Sequence, residues 1–71
     1  MKYLNLLAEL VRNGMPQKKI PKELAKVLKK TPRAIHNKIY GPSEFKGGEI
    51  KVIMDAYFAD SDLDATYLFD L

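Results

Sequence analysis

The sequence predicts an all-α fold: a compact bundle of about five short helices in one domain, residues 1–71. Three observations predict it. Apolar residues recur at three- and four-residue steps almost throughout. No stretch alternates apolar and polar residues long enough to argue a strand. Proline and glycine fall between the periodic stretches, where helices start and stop.

Each element follows in turn. Leu4, Leu7, Leu10 and Val11 share one face of a first helix, and Arg12-Asn13-Gly14 ends it, with Gly14 as the left-handed cap residue. The second helix has two candidate starts, because Pro16 and Pro21 are both good first-turn residues. A start at Pro21 keeps that proline out of the helix interior and is preferred. Ile20, Leu24, Val27 and Leu28 share its inner face, and it runs to about Leu28.

Thr31 is the N-cap of a third helix, Pro32 to Tyr40, with Ile35 and Ile39 inward. Gly41 ends it and Pro42 prevents continuation. Phe45 plugs the core from a loop. A fourth helix starts near Gly47 and buries Ile50, Ile53, Met54 and Tyr57. Gly47 and Gly48 weaken its first turn by up to ~1 kcal/mol each. Ser61 begins a short final helix, with Asp62 and Asp64 near its positive end and Leu63, Tyr67 and Leu68 inward. Leu68, Phe69 and Leu71 fit either core or a dimer seam. The expected core is Leu24, Ala25, Leu28, Ile35, Ile39, Phe45, Ile50 and Ile53.

Composition narrows the function. A hydrophobic fraction of 46% suits a globular core and is too high for a disordered segment. No apolar run approaches the ~18 residues of a membrane span. Leu4 to Val11 is interrupted by Asn5 and Glu9, so no signal peptide is expected. The absence of cysteine fits a cytoplasmic location and removes disulfides and thiolate metal sites. With one histidine, His36, and two serines, Ser43 and Ser61, no nucleophile–base spacing suggests an enzyme. No cofactor or metal is expected. Asp60-Ser61-Asp62-Leu63-Asp64 begins like a calcium loop, but Ala65 and Leu71 stand where that loop needs glycine and glutamate.

Charge is sharply divided along the chain. Residues 1–46 carry 11 basic and 3 acidic side chains, net +8; residues 47–71 carry 1 basic and 6 acidic, net −5. A basic body of this size asks for an anionic partner, most often nucleic acid.

The segment Lys22 to Gly41 is the most informative. Two helices are joined by Lys29-Lys30, with small Ala25 at the expected crossing and aliphatic Ile35 locking the second helix on the first. This is the pattern of a helix-turn-helix. With the continuation Ser43-Glu44-Phe45-Lys46, Glu49-Ile50-Lys51 and Asp55-Ala56-Tyr57-Phe58, it resembles the Cro/C1-type, phage-repressor-like helix-turn-helix family. It is similar to the small Cro-like regulators and modulator-of-repression proteins of temperate phages. The resemblance implies a lambda-repressor-like fold, a double-stranded operator DNA partner and a homodimer, since one domain covers half a site.

Three features depart from that family. Lys22 stands where a glutamine is usual, about four extra residues precede the motif, and Pro32 occupies a base-reading position without a donor. The remaining surface keeps its chemistry. Arg33 and Asn37 are four residues apart, hence on one face. Arginine grips the O6/N7 edge of guanine and asparagine the N6/N7 edge of adenine. His36 and Tyr40 adjoin them. Among the lysines, Lys22, Lys38 and Lys46 are the preferred phosphate contacts, ahead of Lys18 and Lys19. Two readings stay open: a DNA-binding regulator in a lysis/lysogeny switch, and an antirepressor-like module that binds a phage repressor.

Overall fold

The computed structural model describes residues 2–71. Its elements are α1 (Leu4–Arg12), a 3-10 turn (Gln17–Lys19), α2 (Ile20–Leu28), α3 (Pro32–Tyr40), α4 (Gly47–Tyr57) and α5 (Ala65–Phe69). Among the described residues there is no strand. The protein is an all-α bundle. α2 packs mainly on α3 and then on α4, and α5 lies against α1.

Local chemistry explains the boundaries. Gly14 follows α1 at φ +97, a conformation glycine adopts without steric cost. Neither proline alone starts the second helix. Pro16 precedes the 3-10 turn, which runs directly into α2 at Ile20, so Pro21 sits in the first turn where no N–H is needed. Thr31 Oγ1 accepts the Ala34 N–H at 3.1 Å, as expected of the N-cap of α3. At its end, Gly41 tolerates no side chain, because a Cβ there would meet the Asn37 carbonyl oxygen at 2.8 Å.

The last helix is shorter than the sequence predicts. Ser61 does not begin it; its hydroxyl accepts the Leu63 N–H at 3.0 Å and closes a separate turn. Asp64 is the N-cap of α5, accepting the Tyr67 N–H at 2.9 Å.

One apolar cluster unites the helices. Leu24, Ala25, Ile35, Ile39, Phe45 and Ile53 are buried as expected, and Leu28 and Ile50 pack half-buried at its margin. Phe58, Leu68 and Phe69 complete it, so Leu68 and Phe69 are core, whereas Leu71 is exposed. Tyr67, expected inward, is 45% exposed.

α1 is rotated from the expected face. Leu6, Leu7 and Leu10 are buried, while Leu4 and Val11 are largely exposed. The rotation lets the Tyr3 ring join Phe45 and Phe69, with centroids 5.1 and 5.7 Å away. It also buries Glu9, whose carboxylate lies 3.1 Å from the Arg12 guanidinium. The N-terminal segment is held beside α3 and the loop after it. Lys2 N–H donates to the Ile39 carbonyl at 3.0 Å, Phe45 N–H donates to the Tyr3 hydroxyl at 3.1 Å, and the Lys2 ammonium donates to the Ser43 carbonyl.

Candidate nucleic-acid interface

The turn between α2 and α3 sets the placement of the outer face of α3. Lys29 adopts the left-handed conformation at φ 57, and the Lys30 N–H donates back to the Ala25 carbonyl at 3.0 Å. This two-part turn ends α2 and leads the chain into α3 at Pro32. Ala25 and Ile35, 3% and 0% exposed, then hold the two helices together. With Ile35 and Ile39 inward, the opposite side of α3 faces solvent.

That side carries Arg33, His36, Asn37 and Tyr40, all exposed. His36 and Tyr40 pack ring against ring across one turn, with centroids 4.6 Å apart and planes tilted by 39°. Arg33, His36 and Asn37 form one wall of a shallow groove with Pro32. The start of α2, Pro21 and Lys22, forms the other, together with Lys18 from the 3-10 turn. Four of the residues expected at the site, Lys22, Arg33, His36 and Asn37, therefore line this groove, and Tyr40 lies on the same exposed face at the far end of α3.

Electrostatics favours anions here. Four ion pairs form among the described residues: Arg12–Glu9, Lys26–Glu23, Lys38–Glu49 and Lys51–Asp55. Lys18, Lys22 and Arg33 are in none of them. Their charges are unneutralised by the protein and lie beside the positive end of α3.

Two expected contacts lie elsewhere. Lys38 is on the flank of α3 that faces α4, with its side chain 13% exposed. Its ammonium is 3.2 Å from Glu49 Oε1, donates to the Glu44 carbonyl at 3.2 Å and lies 5.9 Å from the Phe45 ring centroid. A lysine so engaged ties α3 to α4 and to the loop between them, and is less free than Lys22 to reach an outside anion. Lys46 is exposed at the start of α4, where it lines a second groove with Lys29 and Lys30. Lys18, ranked low from sequence, belongs to the first groove. Its spacing of four from Lys22 was the available signal, obscured by Pro21 between them.

The surroundings of Glu49 shift its titration. Burial raises its pKa, but the Lys46 N–H, the Lys38 ammonium and the field of Lys30 together bring it below its ordinary value of 4.5.

No family model, curated protein or solved structure matches the chain.

Proposed function

We propose that the protein is a DNA-binding regulator that places α3 in the major groove as the second helix of a helix-turn-helix. The observation that carries this reading is the joint exposure of Arg33 and Asn37 on α3 beside unpaired Lys18 and Lys22. A nine-residue helix fits the major groove, which admits a single α-helix. Arg33 offers a planar fork for guanine and Asn37 a donor–acceptor pair for adenine. Lys18 and Lys22 offer point charges to the flanking phosphates. His36 and Tyr40 extend the same face. Pro32 contributes shape but no donor, so readout falls chiefly on two side chains and a modest specificity ratio is expected.

The test is selection from a pool of random duplexes, followed by fluorescence anisotropy on the enriched sequence and on random DNA at two salt concentrations. Enrichment of a common half-site, bound more tightly than random DNA, supports the reading. Equal affinity for both at low salt would sink it. A stable complex with a phage repressor in the absence of DNA, without DNA affinity, would favour the antirepressor-like module instead.

A further inference from the structure

A second groove lies away from the outer face of α3, between the end of α2 and the side of α4. Val27, Leu28 and Val52 supply its apolar floor, and Lys29, Lys30 and Lys46 form its rim; Glu49, already paired with Lys38, also lines it, so the groove keeps a net positive charge. Val52 is 40% exposed, and Gly48 leaves open space in the wall. None of the three lysines forms an ion pair among the described residues.

The C-terminal segment carries the reverse charge beside exposed apolar side chains. Tyr67 is 45% and Leu71 70% exposed. Asp60, Asp62, Asp64 and Asp70 are exposed around them in the chain, and none is ion-paired among the described residues. This surface cannot swing into the groove of its own copy. Leu68 and Phe69 anchor α5 in the core, and the Asn5 side-chain amide donates to the Tyr67 carbonyl at 3.0 Å.

We propose that these two surfaces meet between copies, the acidic surface around Tyr67 of one molecule seating in the lysine-rimmed groove around Val52 of the next. Charge complementarity selects a second copy as the occupant. Lysines and aspartates that form no ion pair among the described residues lie beside exposed apolar side chains, and each surface is the wrong sign to bind itself. Such a contact is heterologous: every copy keeps one free groove and one free acidic surface, so association continues into chains or closes into a ring. The patches are small, so the association is weak and visible at high protein concentration. It requires no DNA and is independent of the role of α3.

Sedimentation velocity of the purified protein across a concentration series, without nucleic acid, tests it. The expected result is association beyond the dimer, about tenfold stronger at about 50 mM than at about 500 mM salt, because exposed charges are screened. Val52→Glu and Tyr67→Ser change exposed side chains, and circular dichroism verifies that each variant is folded. Each variant alone should be monomeric. Their equimolar mixture should form a one-to-one dimer that stops there, since one sound groove then meets one sound acidic surface. A monomer at the highest concentration would overturn the proposal. Association unmoved by salt or by either variant, or a mixture of the two that stays monomeric, would overturn it equally.

Discussion

Lys38 Nζ lies 3.2 Å from Glu49 Oε1, with the two side chains 13% and 14% exposed, and this pair ties α3 to the first turn of α4. Glu49 also accepts the Lys46 N–H at 2.9 Å, so one carboxylate caps α4 and holds α3. Removing either partner strands a poorly hydrated charge. Lys38→Ala should cost about 1–3 kcal/mol of unfolding free energy, measured by urea denaturation. A loss of a few tenths would show the pair to be as weak as an exposed one.

The same pair makes stability depend on acid. The folded-state pKa of Glu49 lies below its ordinary 4.5, so the unfolded chain binds its proton more readily. Its contribution is present above 4.5 and is lost as pH falls through the folded value. Glu49→Gln should therefore be less stable than the parent at neutral pH, with the gap narrowing below pH 4.5. A gap independent of pH would mean that the carboxylate charge contributes nothing.

Lys29 holds the left-handed conformation at φ 57, which costs a residue with a Cβ about 1–2 kcal/mol. Glycine relieves that strain but loses more entropy on folding. Lys29→Gly should then raise stability by about 0.5–1 kcal/mol, which is a few degrees in Tm. Lys29→Ala keeps the strain and should not. Equal effects of the two substitutions would refute the strain argument.

Much of the fold was legible because its signals are local. Thr31-Pro32 and Gly41-Pro42 bracket α3 with chemistry that acts within a few residues, and α3 is found where they place it. α1 was harder. Leucine or valine occupies positions 4, 6, 7, 10 and 11, so two faces are nearly equally apolar, and Glu9 makes the true one look wrong. Burial of Glu9 beside Arg12 and the contact of Tyr3 with Phe45 and Phe69 decide the rotation, and the aromatic contact joins residues far apart in the chain. The candidate site shows the same division. Exposure of Arg33 and Asn37 follows from the burial of Ile35 and Ile39, one helix turn being a local matter. The engagement of Lys38 depends on Glu49 arriving from another helix, and no spacing within α3 announces it.

The final prediction separates reading from holding at the first groove. Phosphates recur at every step of a duplex, whereas a guanine edge occurs only where the sequence supplies one. Lys22, exposed and in no ion pair among the described residues, should act on phosphate alone. Lys22→Ala should weaken binding to selected and random DNA alike and reduce the salt slope by ~1. Arg33→Ala removes a planar fork and should cost about 1–3 kcal/mol on the selected site, with a much smaller loss on random DNA. Lys38→Ala serves as the internal control: it should lower the melting temperature while leaving the salt slope of the folded protein unchanged, because its ammonium is already held by Glu49 and the Glu44 carbonyl. Anisotropy titrations of the three variants at several salt concentrations distinguish these roles. If Arg33→Ala loses no more on the selected site than on random DNA, α3 does not read bases. If Lys38→Ala lowers the salt slope as Lys22→Ala does, then the Lys38–Glu49 pair opens on DNA and the division drawn between the two lysines is wrong.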